Sequence, residues 1–254
     1  MTEKSIKKNG VFIIGVLIMS LGMQFANYGS SICLSGDIAR LDVMQYYVLV
    51  SSLGTLGMML ILPVTGRITA IMGLKNVIIV GIIVQTAGRF IMMYASNWVL
   101  YAIGVLIQSI GGGFYISSAY INMASAVDAN ERAKFFGYIA VANAAGAMCG
   151  PIIVSYLYAM GGIIGKLALL AQLPFIIVGF LMIFKDCSNK KNPDAAKEFD
   201  FLGLLLMVIG VGCLVFWLNL SGKMFSWSSV PSLLLGACAL ISFIWMIKRE
   251  LTIS

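Results

Sequence analysis

The segment between Lys134 and Met160 contains no charged residue, and it is long enough to cross a lipid bilayer as a helix. A spanning helix needs about 20 predominantly apolar residues, because each residue adds about 1.5 Å of length. Similar runs recur along the sequence, and together they predict eight membrane-spanning helices. Their expected bounds are 11–33, 45–65, 76–95, 98–122, 134–159, 163–184, 201–220 and 229–247.

The composition of the whole chain matches the character of this segment. Hydrophobic residues make up 60% of the sequence, charged residues make up 11%, and the mean hydropathy is +0.98. A soluble domain is about half apolar and about a quarter charged, so no water-soluble packing could cover this much apolar surface. The runs are continuously apolar rather than alternating, and open sheets cannot cross lipid. The expected fold class is therefore an all-α polytopic membrane protein.

The side chains present also exclude several kinds of activity. The sequence contains no histidine, so a histidine proton relay or catalytic triad is impossible within this chain. The five cysteines are scattered without paired spacing, which indicates apolar packing rather than a disulfide framework or a zinc site. No buried pair of acids is predicted, so we expect no catalytic residues, no cofactor and no metal site. The basic residues are dispersed between the apolar runs, which argues against a nucleic-acid partner.

The distribution of basic residues predicts the orientation of the spans. Thirteen of the 17 Lys and Arg residues lie on the side that holds the N-terminus. The remaining four are Arg40, Arg89, Lys166 and Lys223. Under the positive-inside rule this asymmetry places both termini of a multi-pass membrane protein in the cytoplasm.

A polar stretch divides the chain. Residues 185–200 form its longest polar segment and separate six spans from two. We therefore expect a six-span N-terminal bundle over 1–184, a cytoplasmic linker over 185–200, and two further spans with a short tail over 201–254.

Uncharged polar side chains mark the expected interior. They share one face of the first span and one face of the fourth, and one lies in the fifth span. Two interpretations are open: a cavity for a large, mostly apolar solute, or interhelical hydrogen bonds worth about 1 kcal/mol each. The candidate substrate-binding residues are Gln24, Asn27, Tyr28, Gln108, Tyr115 and Asn143. Asp37 and Asp42 are assigned to the loop after the first span, so spans one to six are expected to hold no acid at mid-membrane.

Small residues recur every fourth position in the fifth span, at Ala142, Gly146 and Gly150. This spacing puts them on one helix face, where a second helix can approach closely. Pro151 follows directly and removes one backbone donor, so a bend is expected there. The segment is interpreted either as a tightly packed membrane helix or as a pivot.

The same segment resembles the antiporter motif in the fifth span of drug exporters of the major facilitator superfamily. Gly137, Gly146, Gly150 and Pro151 match the first four positions of the motif, and Val154-Ser155 replace its last two glycines.

A second resemblance covers the connection between spans two and three. Gly66, Gly73 and Lys75 match a cytoplasmic loop signature of the same superfamily. Ala70 stands where the family has an acid, and Ile71 stands where it has an arginine. In the family that acid takes part in a charge latch between helices, which this chain cannot form in the usual way.

The segments 199–203 and 225–228 look like the central helices of the fourteen-span drug:proton antiporters in this superfamily. The resemblance implies efflux of hydrophobic or amphipathic compounds with proton coupling. Asn27 aligns with a common aspartate and Val105 with a common arginine, so two positions often tied to proton coupling are neutral here.

The resemblance also implies partners. Besides the lipid bilayer and a small-molecule substrate, we expect a C-terminal transporter half or a second copy, because alternating access needs two bundles. The chain is then an N-terminal portion, a truncated reading frame or a half that pairs with another chain. The alternative hypothesis is a membrane scaffold or regulatory partner without transport of its own.

Overall fold

A computed structural model of the chain describes residues 3–127, 130–185, 187 and 201–253. These ranges are almost entirely helical and contain no β-strand. Two short 3-10 turns lie at Met44–Tyr46 and Ala168–Leu170. The α-helices are α1 (Glu3–Arg40), α2 (Tyr47–Met72), α3 (Leu74–Met93), α4 (Trp98–Ala126), α5 (Arg132–Ala159), α6 (Gly162–Leu167), α7 (Leu173–Ile183), α8 (Phe201–Leu220) and α9 (Val230–Ile253).

Seven helical segments in the described ranges are long and apolar enough to cross a membrane. They comprise α1 to α5, the combined segment Gly162–Ile183, and the α9 segment Val230–Arg249. Helix α8 has 20 residues and contains a shorter apolar stretch, Leu205–Leu220. The all-α polytopic fold class predicted from the sequence is confirmed.

Helix α1 is longer than its predicted span of 11–33 and continues to Arg40. The hydroxyls of Ser30, Ser31 and Ser35 donate to the backbone carbonyls three residues earlier, at 2.6–3.0 Å. Each serine hydroxyl thus finds its acceptor within the helix, so these polar side chains do not end the helix. Asp37 therefore lies in α1 and is buried, and its assignment to a loop is wrong.

The connection between α2 and α3 is a single residue. The predicted span ended at 65, and the segment 66–75 was expected as a loop, but α2 continues to Met72 and α3 begins at Leu74. Gly73 has a φ of 86°, which favours glycine, and its N–H donates to the Thr69 carbonyl at 2.9 Å. The segment 66–75, which looks like a loop in sequence, therefore contains a single tight turn at Gly73.

The sixth span is not one continuous helix over 163–184, as its apolar sequence predicted. It consists of the short α6, a 3-10 turn and α7. The turn leaves backbone carbonyls outside the regular helical pattern, and such groups are tolerated at membrane depth only where protein satisfies them.

Helix α1 lies at the centre of the packing, in contact with α4, α5 and α7. Helix α3 packs against α4, α2 packs against α4 and α8, and α9 packs against α8. We call the end of the bundle at which α1 finishes the Arg40 end, and the opposite end the Lys75 end. The predicted linker lies outside the described residues except at 185 and 187. The division of the chain into bundle, linker and two further spans stays a prediction, as does the orientation in the membrane.

Candidate functional site

A cavity of about 390 Å³ lies between α1, α2, α3 and α4. We call it the polar chamber, because amide and hydroxyl groups from α1, α2 and α4 line much of it. These groups belong to Gln24, Asn27, Tyr28, Ser31, Thr55 and Gln108. The structure therefore brings together four of the six candidate substrate-binding residues that the sequence suggests. Their contact with a substrate stays a prediction.

The two amides of α1 in this chamber bond to each other rather than to another helix. Asn27 Nδ2 donates to Gln24 Oε1 at 3.3 Å, one turn away. Gln108 makes no side-chain hydrogen bond to any described residue, and Tyr28 is 53% exposed. None of these four side chains joins two helices, so they are available to a solute or to water in the chamber.

A second cavity of about 150 Å³ adjoins the first, and Gln24 and Met58 line both. We call it the methionine chamber, since Met19, Met23 and Met58 form much of its wall. The remaining two candidate residues, Tyr115 and Asn143, line this second chamber.

Tyr115 and Asn143 both bond to other helices. The Tyr115 hydroxyl, on α4, donates to the Met19 carbonyl of α1 at 2.6 Å, and the tyrosine is buried. Asn143 Nδ2, on α5, donates to the Tyr120 hydroxyl of α4 at 3.4 Å. These two residues border the methionine chamber but also join helices.

The close approach of α5 to α1 positions the wall of both chambers. Gly146 lies against the Leu21 carbonyl, and a methyl group on Gly150 would stand 2.6 Å from the Phe25 carbonyl oxygen. Both glycines are buried on the face that their four-residue spacing predicts. Gly137 is exposed, and no atom lies within 4 Å of where its Cβ would be. Helix α5 continues through Pro151, and the expected bend stays a prediction.

Sequence reasoning missed a glycine stripe on α1. Gly15 and Gly22 lie against α7, and Gly29 and Gly36 lie against α5. These positions recur every seven residues, which is the signal that could have identified them. Since the stripe is opposite Asn27 on the helix, one side of α1 packs tightly while the other faces the polar chamber.

Sequence reasoning also missed the environment of Arg89, which it used only in the count of basic residues that sets the orientation. The arginine is buried in α3, where Nη1 donates to the Leu169 carbonyl at 2.7 Å and Nη2 to the Ala26 carbonyl at 3.4 Å. No carboxylate in the described ranges lies within ion-pair distance of it. The sequence did hold a signal for this role, since Arg89 falls within the apolar run 76–95. An ionisable residue in a membrane span is costly and usually functional.

At the Lys75 end, the loop-signature residues occupy different environments. Gly66 is exposed in α2, and Lys75 Nζ lies 3.2 Å from the centroid of the Phe184 ring. Nearby, Cys187 Sγ donates to Asn122 Oδ1 at 3.5 Å. Burial raises the pKa of Cys187 to about 11, although the positive charge of Lys75 acts in the opposite direction. This thiol therefore stays protonated at neutral pH.

The two chambers combine neutral polar and apolar surfaces. The described lining of neither chamber includes an acidic or basic side chain. In the described part of the chain no three His, Cys, Asp or Glu residues group closely enough to hold a metal ion. The arrangement can accept hydrogen bonds from, and donate them to, a solute whose larger part is apolar.

Comparison with known proteins identifies similar chains. The family model described as Major Facilitator Superfamily matches residues 12–249. The multidrug transporter protein MdtP of Bacillus subtilis is 26% identical over 219 residues, which cover 85% of this chain and 39% of that protein. The putative multidrug resistance protein MdtD of Klebsiella pneumoniae is 23% identical over 208 residues, covering 79% of this chain and 42% of that protein.

A fungal protein shows similar identity. The MFS-type transporter sphD of Aspergillus fumigatus is 27% identical over 195 residues, covering 71% of this chain and 32% of that protein. The chain thus spans between about a third and two fifths of the length of these relatives.

Proposed function

Because the chain belongs to the major facilitator superfamily, we propose that it takes part in secondary active export of hydrophobic or amphipathic small molecules. The relatives named for multidrug transport support this proposal. The whole transporter would include a second bundle, either as a C-terminal half or as a second copy, and would lie in the plasma membrane with both termini cytoplasmic.

The polar chamber is the observation that carries the proposal. Polar side chains within a spanning bundle are costly unless they have partners or face water. Gln108 has no side-chain partner among the described residues, and the amides of α1 bond only within their own helix. We infer that these groups serve a solute in the chamber rather than the cohesion of the bundle.

The two adjoining chambers favour an amphipathic solute. Its polar end would meet the amides of the polar chamber, and its apolar part would extend past Met58 into the methionine chamber. Methionine side chains are flexible and polarisable, so they adapt to ligands of different shape. This property suits a transporter that accepts several related compounds.

The experiment measures ethidium export. Proteoliposomes with the chain, and proteoliposomes with any longer product of its reading frame, are loaded with ethidium and followed with and without a pH gradient. The variants Asn27→Ala and Gln108→Ala are expected to reduce the export rate by about tenfold, since each loses a binding group worth about 1.4 kcal/mol.

A matched control is Asn76→Ala. Asn76 is also an amide, but its Nδ2 donates to the Met72 carbonyl at 3.0 Å and it lines neither chamber. Export that falls equally in all three variants would contradict a role for the chamber. Movement of ethidium that is independent of the gradient would indicate a facilitator instead of an active exporter.

One observation favours a second candidate, a scaffold or regulatory partner that does not transport. Ala70 and Ile71 replace the charged latch of the family, and neither chamber carries a charge. Co-purification with a membrane partner, together with no effect of Gln24→Ala or Asn27→Ala on any flux, would support this candidate over export.

A further inference from the structure

A third cavity, of about 180 Å³, lies at the Arg40 end of the bundle. Its charged and phenolic lining comes from α1, α5 and α6, as Asp37, Arg40, Tyr158 and Lys166. We call it the Asp37 pocket. It shares no lining residue with the polar chamber or the methionine chamber, so it is a separate feature of the bundle.

Asp37 is 6% exposed, and the same carboxylate oxygen meets two partners. The Tyr158 hydroxyl of α5 donates to Asp37 Oδ1 at 3.0 Å. Arg40 Nη2 lies 3.3 Å from that oxygen, one turn along α1. The Arg40 side chain is 48% exposed, so the cation lies at the surface while protein covers the carboxylate.

Ionisable groups from α1, α4, α5 and α6 lie close enough to Asp37 to act on its carboxyl. They are Cys33 and Arg40 of α1, Tyr101 of α4, Tyr158 of α5 and Lys166 of α6. Tyr101 is fully buried, and its hydroxyl has no hydrogen-bond partner in the described part of the chain. Its hydroxyl therefore has hydrogen-bonding capacity that no described residue uses.

A purely structural ion pair explains this arrangement poorly. An ion pair with a half-exposed partner contributes about 0–1 kcal/mol, whereas removing a carboxylate from water costs several kcal/mol. A carboxyl that is covered by protein, open to a small pocket and surrounded by two phenols can instead exist in either protonation state.

We propose that Asp37 is a proton-binding site, at which a hydronium ion that enters the Asp37 pocket transfers one proton to the carboxylate, forming the carboxylic O–H bond and leaving a water molecule. This inference rests on the proposed transport function and assigns the group that couples it to a proton gradient. Protonation removes the charge that pairs with Arg40, and it replaces the charge-assisted bond from Tyr158 by a weaker neutral one. The contact of α1 with α5 therefore loosens at this end when the proton binds.

The first test detects the proton without transport. The chain in lipid nanodiscs is titrated over about pH 4 to 9, and infrared difference spectra record the carbonyl stretch of protonated carboxylic acids. Besides the signal of exposed carboxyls that titrate at about pH 4, wild-type protein should show one further titrating band that Asp37→Asn lacks. Asp42→Asn is the matched control, since Asp42 is exposed in the turn after α1 and should leave that band unchanged.

Tyr158→Phe provides a second readout if Asp37→Asn does not fold. Loss of its hydroxyl should shift the Asp37 carbonyl stretch to higher frequency, because the group loses a hydrogen-bond donor. Identical titrating bands in wild type and Asp37→Asn, or no change of frequency in Tyr158→Phe, would overturn the inference.

The second test separates this inference from the proposed function. In proteoliposomes, Asp37→Asn should lose ethidium export driven by a pH gradient and retain downhill movement of ethidium. Gradient-driven export that persists in Asp37→Asn overturns the role of Asp37 and leaves the transporter intact. No ethidium movement in wild type contradicts the transport proposal, while the infrared spectra still decide whether Asp37 binds the proton.

Discussion

At the scale of single residues, Arg89 joins three parts of the bundle. Its guanidinium, on α3, bonds to carbonyls of α1 and of the 3-10 turn in the sixth span. That turn is where the span departs from regular helix, so Arg89 supplies a donor for a carbonyl that a continuous helix would satisfy by itself. The cation is stabilised by backbone dipoles in place of a carboxylate.

Replacing Arg89 should therefore destabilise the fold. We expect Arg89→Ala to lower the free energy of unfolding by about 3 kcal/mol, from the cavity that remains and the unpaired Leu169 carbonyl. Arg89→Met fills most of the volume and should cost about 1–2 kcal/mol, since only the hydrogen bonds are lost. Denaturation by SDS in mixed micelles measures both values, and equal stability of the two variants would contradict the cavity argument.

Two tyrosines distinguish helix packing from solute binding. Tyr115→Phe should cost about 0.6–1 kcal/mol of stability because the bond to the Met19 carbonyl is lost, and it should slow ethidium export less than Tyr28→Phe does because its ring still lines the methionine chamber. Tyr28→Phe should have the opposite effect, with unchanged stability and slower export, since its side chain borders the polar chamber. The measurements are SDS denaturation and proteoliposome flux for each variant.

At the scale of the helices, close contacts depend on glycines that have no room for a methyl group. Gly88 of α3 lies against the Gln108 backbone of α4, and Gly111 of α4 lies against the Gln85 backbone of α3. Without a side chain at these positions the two backbones approach directly, which is how membrane helices gain packing energy in the absence of a hydrophobic driving force.

Helix α5 offers a matched test within one element. Gly146→Ala and Gly150→Ala should each cost about 1–3 kcal/mol, because the new methyl group meets backbone atoms of α1 that cannot move aside. Gly137→Ala should be neutral or should stabilise the chain by up to about 1 kcal/mol, since its Cβ meets open space in a helix. Thermal denaturation in detergent ranks the three, and a loss of stability in Gly137→Ala would show that an unseen contact exists there.

The sequence predicts what depends on local pattern. The positions of the seven membrane-length helical segments in the described ranges, and the buried face of Gly146 and Gly150, follow from run length and four-residue spacing. The end of α1 at Arg40 and the break in the sixth span do not. The last part of α1 looks like a loop in sequence because it contains three serines, whose hydroxyls in fact bond within the helix. In the broken sixth span, the Leu169 carbonyl accepts from Arg89, which lies 80 positions away in sequence.

The same limit applies to the candidate site. Helical periodicity identified the amides around the polar chamber, because they share a face of one helix. Periodicity could not show that Tyr115 bonds to the Met19 carbonyl or that Asp37 meets Tyr158, since each contact joins helices that are distant in sequence.

At the scale of the whole molecule, the polar chamber and the apolar outer surface face different surroundings. Apolar side chains of α5 such as Met148, which is 71% exposed, and Ile152 project outward from the bundle. Ser31 borders the polar chamber on the opposite side of the packing. The chamber should hold water in a membrane, while the outer face of α5 should contact lipid.

Thiol labelling tests this division. In a chain whose native cysteines are replaced by alanine, Ser31→Cys should react with a membrane-impermeant charged methanethiosulfonate in proteoliposomes. Met148→Cys should not react there, because lipid excludes a charged reagent, but it should react once the chain is denatured in SDS. Labelling of both positions before denaturation would place the outer face of α5 in water.

The glycine stripe of α1 has a consequence for how such a protein can diversify. The side of the helix packed against α5 and α7 has no room for a methyl group at its glycines, whereas Gln24, Asn27 and Ser31 lie on another side that borders the polar chamber. Inherited variation on that second side can therefore change the shape and polarity of the chamber without unseating the helix. One span thus keeps the requirements of packing and the lining of the cavity on separate surfaces, so a single codon change can alter one without the other.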